Sequence, residues 1–200
     1  MVETLNIKKL ILASASPRRK ELLDQVGIEY EVIPSSVEEH IEDIDGTPAE
    51  KAEKLAYFKA KDVASKLNDC LVLGADTIVV IGNDILGKPI DLDDAKRMLI
   101  KLSGKEHKVI TGVALIDTGK NAVVMSHETT SVKFRDLTNR MIDSYIASQE
   151  PMGKAGAYAI QGFGALLVEG INGCYSNVVG LPLTKLSKMV ESVENLNTQN

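Results

Sequence analysis

Apolar and polar positions divide this chain into short continuous runs and amphipathic stretches. Leu10 to Ala13 is unbroken apolar sequence and reads as a buried strand. Ser16 and Pro17 then stand at the N-cap and first position of a helix. Its apolar face is Leu22, Leu23 and Val26, and Gly27 ends it. Tyr30 to Ile33 reads as a second strand, followed by an acidic loop from Ser35 to Gly46. Thr47-Pro48-Ala49-Glu50 is a capping box. The helix it opens runs to about Leu67, with an apolar stripe through Ala52, Leu55, Ala56 and Val63. Leu71 to Ile81 is a long apolar strand with one interruption, and Gly82-Asn83 is a hairpin signal. Asp91 caps a helix from about Leu92 to Leu102, closed by Gly104. Long strands are expected over His107 to Ile116 and Ala122 to Leu137, and a helix from about Asn139 to Ser148. A glycine-rich stretch over residues 154–182 leads to a last helix starting near Pro182, and a polar tail at about 195–200 is expected to fray.

Helices alternate with strands early, and hairpin signals dominate the middle. The expected fold is therefore α/β, with a mixed sheet rather than a purely parallel one. At 200 residues, one domain of two lobes is expected, without internal repeats. Hydrophobic residues make up 44% of the chain and tryptophan is absent, so the core must be mostly aliphatic. A net charge of -5 argues against a surface that binds nucleic acid polymers, while leaving room for a local positive cleft. Cys70 and Cys174 show no motif spacing and read as buried free thiols in a reducing compartment. The apolar segment near the N-terminus is about five residues long, too short for a leader or a membrane span, and a cytoplasmic protein is expected. His40, His107 and His127 have no metal-ligand spacing, and no Walker A or GxGxxG loop is present.

Several residues break their local rule. Arg18, Arg19 and Lys20 occupy the first turn of a helix, where the macrodipole disfavours cations. Arg19 also takes the place where a capping box would want Glu or Gln. With the Ser14 and Ser16 hydroxyls and the helix N–H groups, Arg18 and Arg19 suit an anion with several phosphate oxygens. The alternative is that both point into water or pair with the acidic loop; Lys20 reads as a solvated neighbour. Lys59 falls on the apolar stripe of its helix, so it either snorkels at the edge or reaches a buried anion. Asp76 interrupts an apolar strand and must be paired, hydrogen-bonded or on a metal. Gly74 would permit a bulge or bend aiming it out of the core. Asp76 is thus either a local turn former or a metal ligand or general base. Glu38 and Glu39 are ordinary solvated residues unless a further carboxylate such as Asp76 faces them, when a magnesium site becomes feasible. Lys88 is held extended by Pro89. Gln161 sits among small residues, where its amide could read a base edge.

Together, SASPRRKELL, GADTIVV, LGKP, KAGAYAIQG and GCYSNVVGLPL resemble the Maf family of nucleoside triphosphate pyrophosphatases, from about Leu10 to Leu196. The resemblance implies a long mixed, twisted β-sheet flanked by helices, with two lobes around a cleft, similar to the inosine triphosphate pyrophosphatases. It also implies hydrolysis of a nucleoside triphosphate to the monophosphate and pyrophosphate with a divalent metal, Mg²⁺ or Mn²⁺. Members are cytoplasmic, often homodimeric, and linked to arrest of septum formation. By this match Ser14, Arg18 and Arg19 bind phosphate, Asp76 is the proton acceptor, and Glu39, Lys59 and Lys88 are further active-site positions. The subfamily resembled is the dTTP/UTP pyrophosphatase, with Arg18, Thr77 and Gln161 at its specificity positions. Ala159 departs from the usual AYGIQG.

On this reading water attacks the α-phosphorus, and Asp76 orients or deprotonates it. Glu39, with Glu38 or Asp76, holds the metal. Lys59, Lys88 and the arginines stabilise the leaving pyrophosphate, and Thr77 and Gln161 bond the pyrimidine. Modified pyrimidine nucleotides in a house-cleaning role fit the same chemistry. Two rivals stay open: a nucleotide-sensing protein without turnover, and an enzyme for another base such as 7-methyl-GTP.

Overall fold

The first strand, β1 (Leu10–Leu12), is fully buried and lies between two parallel neighbours, β2 (Tyr30–Val32) and β3 (Leu71–Ile81). The computed structural model describes residues 9–195 apart from Glu39, so the expected fraying tail lies, from residue 196 on, outside the described residues. Helix α1 (Pro17–Gln25) and helix α2 (Pro48–Ala64) connect the parallel strands. β3 turns through Gly82-Asn83 into the antiparallel β4 (Asp84–Leu86). Helix α3 (Leu92–Leu102), strands β5 (Glu106–Asp117) and β6 (Ala122–Phe134), and helix α4 (Asn139–Ala147) follow. β7 (Val168–Asn172) pairs antiparallel with β6, and α5 (Tyr175–Val179) and α6 (Leu183–Asn195) complete the chain. The sheet is seven-stranded and mixed, in the order β2-β1-β3-β5-β6-β7, with β4 also on β3. This is the α/β architecture expected from the sequence. No helix among the described residues is long and apolar enough to cross a membrane.

The chain divides into two compact units, each with its own core. The first comprises Met1–Asp76, Thr111–Glu128 and Gly180–Asn200. Its aliphatic core joins Ile11, Val72 and Ala114 of the strands, and Ala13 just after β1, to Ala56, Ala60 and Val63 of α2. The second comprises Thr77–Ile110 and Thr129–Val179. Its core holds Val79, Leu99, Val132, Phe134, Ile142 and Tyr158.

Local capping explains where the helices start. Glu50 N–H donates to Thr47 Oγ1 at 3.3 Å and Thr47 N–H donates to Glu50 Oε2 at 2.7 Å, completing the expected capping box. The Asp91 carboxylate accepts from Asp94 N–H at 2.7 Å. Ser16 does occupy the N-cap of α1, but its side chain makes no cap bond; instead its N–H donates to Ser14 Oγ at 3.3 Å.

Two sheet glycines fix α2. A Cβ on Gly74 of β3 would overlap the Ala56 carbonyl oxygen and stand 2.8 Å from Ala60 N. A Cβ on Gly112 of β5 would overlap the Ala52 carbonyl. Ala52, Ala56 and Ala60, spaced four apart on one helical face, are all wholly buried. Gly74 therefore serves close helix approach rather than the bend expected of it, because β3 runs unbroken from Leu71 to Ile81. Gly74→Ala must displace the α2 backbone. We expect it to cost roughly 3 kcal/mol, read as a Tm about 10 °C lower. A Tm within a degree or two of the unsubstituted protein would show that α2 has slack.

Candidate functional site

In the first unit, the short parallel strands β1 and β2 end beside β3, which runs on to Ile81, and the expected polar residues follow that point. Ala13 N–H donates to Leu73 O at 2.8 Å and Ile33 N–H to Leu12 O at 3.2 Å, so pairing persists to the strand ends. Just beyond lie Ser14 after β1, the Ser35–Glu38 loop after β2, and Asp76 on β3. Crevices at the carboxyl ends of parallel strands are the usual ligand positions in open α/β sheets.

The turn after β1 is organised by Arg19. Its Nε donates to Gly180 O at 2.9 Å and its guanidinium NH1 to Ser14 Oγ at 2.9 Å. Arg19 is buried, as is Ser14, while Arg18 is only half-buried. The two arginines thus differ. Arg19 ties the start of α1 to the segment entering α6, and Arg18 stands beside it on the more accessible side of the turn. The expectation that they point into water does not hold for Arg19.

Lys59 resolves its own alternatives. Its Nζ donates to Asp76 Oδ1 at 2.5 Å, with Lys59 7% and Asp76 5% exposed. The lysine on the apolar stripe reaches a buried anion, and the aspartate within the apolar strand has its partner. Each charge offsets the other's desolvation, and removing either alone would leave a buried charge unmatched, at a cost of about 3–5 kcal/mol.

The acidic loop is fastened to the same helix. Asp62 Oδ2 accepts from Ser36 N–H at 2.8 Å, Ser35 Oγ at 3.0 Å and Ser36 Oγ at 3.1 Å, while Oδ1 accepts from Lys66 Nζ at 2.8 Å. Lys51 and Lys54 donate to the carbonyls of Ile41 and Asp45 at 3.2 and 2.8 Å. Glu38, exposed, pairs with His40 at 2.9 Å. Glu39 lies outside the described residues. Sequence reasoning missed Asp62, although it stands three residues beyond Lys59, a helical neighbour on one face.

Among the described residues no group of three or more His, Cys, Asp or Glu could hold a metal ion. A magnesium ion that takes most of its oxygens from a phosphorylated ligand and water needs only one or two carboxylates from protein.

The remaining expected residues belong to the second unit. Thr77 on β3 is half-buried, Lys88 is exposed after β4, and Gln161 is half-buried. Gly156 N–H donates to Gly87 O at 3.0 Å, linking the segment that leads to Gln161 with the residue before Lys88. His107 packs edge-on against Phe134 and Tyr158, and its Nε2 lies 2.7 Å from Tyr158 Oη. Burial pushes this imidazole down to about 4, the form suited to a neutral core position. Cys70 is buried and Cys174 half-buried, both as free thiols.

The profile of the family described as Maf-like protein matches residues 9–193. A dTTP/UTP pyrophosphatase of Ruminiclostridium cellulolyticum is 56% identical over 94% of this chain and 97% of its own length. One from Aquifex aeolicus is 49% identical over 92% and 95%. Among solved structures, a HAM1 protein from Coxiella burnetii aligns with a TM-score of 0.47 at 17% identity, over 92% of this chain and 98% of that one.

The Asp62 anchor predicts a pH dependence. Its ammonium partner Lys66 and the Ser36 N–H hold the carboxyl well below the ordinary aspartate value. Its stabilising contribution is therefore present above about pH 3.9 and is lost as pH falls from there toward the folded-state value. Asp62→Asn should lower Tm at pH 7, and the gap from the unsubstituted protein should narrow steadily below pH 4. A gap independent of pH would show that the charge on Asp62 does not matter.

Proposed function

The chain belongs to the Maf family, and we propose that it is a nucleotide pyrophosphatase that hydrolyses dTTP and UTP to the monophosphate and pyrophosphate. The observation that most supports this is the buried pair of Lys59 on α2 and Asp76 on β3, beside the Ser14–Arg19 turn that follows the neighbouring strand β1. An anion-binding turn alone would suit simple nucleotide capture. A buried carboxylate beside it hinders anion binding and helps chemistry, which favours turnover over a sensing role.

On this proposal the turn after β1 receives phosphate oxygens, with Arg18 contacting them and Arg19 holding the Ser14 hydroxyl in place. Asp76 orients the attacking water and accepts its proton. Lys59 holds Asp76 at a fixed position through their hydrogen bond and supplies positive charge near the phosphates. Lys88 adds charge toward the departing pyrophosphate. Thr77 and Gln161 hydrogen-bond the pyrimidine. Asp76, Glu39 and Glu38 are the carboxylates proposed to hold Mg²⁺ or Mn²⁺. When bound, that ion neutralises phosphate charge.

Incubation with Mg²⁺ and dTTP or UTP should release monophosphate and pyrophosphate in equal amounts. Orthophosphate as the sole phosphorus product, or nucleotide recovered intact after hours, would overturn the proposal. Asp76→Asn should lower kcat by roughly 100-fold or more while nucleotide affinity changes little; parallel loss of both would mark Asp76 as structural. Arg18→Ala should raise KM with Tm nearly unchanged. Arg19→Ala should lower Tm as well, since it removes the links to Ser14 and Gly180. Equal behaviour of the two variants would refute that division.

A further inference from the structure

Gln161 lies in a segment that no strand pairing holds. It comes three residues after the extended Tyr158 and directly precedes a short 3-10 turn, Gly162–Leu166. Tyr145 near the end of α4 and Glu150 just beyond it hold this segment on both sides of Gln161. Glu150 Oε2 accepts from Phe163 N–H at 3.0 Å, and its Oε1 accepts from Gly164 N–H at 3.0 Å. Tyr145 Oη donates to the same Oε1 at 3.0 Å and accepts from Ala159 N–H at 3.2 Å. One carboxylate and one phenol therefore bind three backbone N–H groups, two residues before Gln161 and two and three residues after it.

The packing leaves little play. A Cβ on Gly162 would come within 2.7 Å of Glu150 Oε2, and one on Gly164 within 2.9 Å of Tyr145 Oη. Glu150 is itself held: its N–H donates to Ser148 Oγ at 3.2 Å, and Lys154 Nζ donates to its carbonyl oxygen. Tyr145 is buried in the core of the second unit.

Resting on the proposed function, we propose that Glu150 and Tyr145 are positioning residues that set base selectivity by fixing the backbone on either side of Gln161. Neither contacts substrate in this assignment. They act because a carboxylate accepting several N–H bonds makes a stiff mount, and because small misplacements of a recognition group are costly. The Oε1 bridge makes the two side chains one unit. Loss of the phenol oxygen frees Ala159 N–H, and loss of the carboxylate frees Phe163 and Gly164.

Two measurements test this. First, kcat/KM is compared for dTTP and dGTP in the unsubstituted protein, Tyr145→Phe, Glu150→Gln and Gln161→Ala, and in Tyr145→Phe combined with Gln161→Ala. Tyr145→Phe and Glu150→Gln should each reduce the dTTP preference about tenfold, and Tyr145→Phe should reduce it no further when Gln161 is already Ala. Equal loss for both nucleotides, or full additivity with Gln161→Ala, would overturn the assignment. Second, amide hydrogen exchange needs no substrate. Glu150→Gln should speed exchange at Phe163 and Gly164, and Tyr145→Phe at Ala159, with the β3 and β5 amides unchanged. Unchanged exchange at those sites would overturn the anchoring itself. If the unsubstituted protein fails to hydrolyse dTTP while these amides respond as expected, the function is wrong and the anchoring stands.

Discussion

Helix α2 lies against the sheet more closely than any side chain on Gly74 or Gly112 would allow, and the site in the first unit depends on that contact. Ala52, Ala56 and Ala60 present only methyl groups, so the helix backbone can settle onto two bare positions of β3 and β5. Lys59 follows from this placement. It stands beside Ala60 on the helix, within reach of a carboxylate two residues along from Gly74. The same helix carries Asp62, Lys51 and Lys54, which hold the acidic loop after β2. A single helix-to-sheet distance thus sets both Lys59 and the loop proposed to supply metal ligands.

The ion pair at the centre of this arrangement is a poor investment in stability taken alone. Burying two charges costs more than their attraction repays unless geometry and further hydrogen bonds are favourable, and an apolar pair of similar volume often does as well. What an apolar pair cannot do is keep a carboxylate in a fixed position within β3, beside the Ser14–Arg19 turn. Close packing of α2 and fixed placement of Asp76 are two aspects of one requirement, because slack in the helix would translate directly into slack in the carboxylate.

Features governed by near neighbours in the chain were legible before any coordinates. The Thr47–Glu50 box, the Asp91 cap, the hairpin at Gly82-Asn83 and the strand from Leu71 to Ile81 all rest on local stereochemistry and periodicity. Lys59 and Asp76 were also recognisable, because each violates the pattern around it. Their mutual contact was not, since no local rule links a helix position to a strand position seventeen residues on. Gly74 was misread for the same reason: a glycine that permits a bend and one that permits close approach look alike until the opposing element is known. Arg19 resembled a pure phosphate ligand because its partner at Gly180 is 161 residues away. Residues 154–182 lacked periodicity, and they fold into short turns, one strand and one brief helix that no window could resolve.

That last segment shows why the proposed base selection and the proposed chemistry rest on different supports. Strand residues such as Asp76 inherit their position from a hydrogen-bonded ladder, and helix residues such as Lys59 from packing. A loop residue such as Gln161 inherits neither, and its neighbouring N–H groups need acceptors from elsewhere. Glu150 supplies them with one side chain, and Tyr145 joins that side chain to Ala159, two residues before Gln161. The consequence is a division of constraint. Substitutions around β3 and α2 must preserve a buried ion pair and a close helix contact. Substitutions around Gln161 must preserve one carboxylate, one phenol and the bare positions Gly162 and Gly164, so the proposed selectivity can shift there without disturbing the strand that carries Asp76.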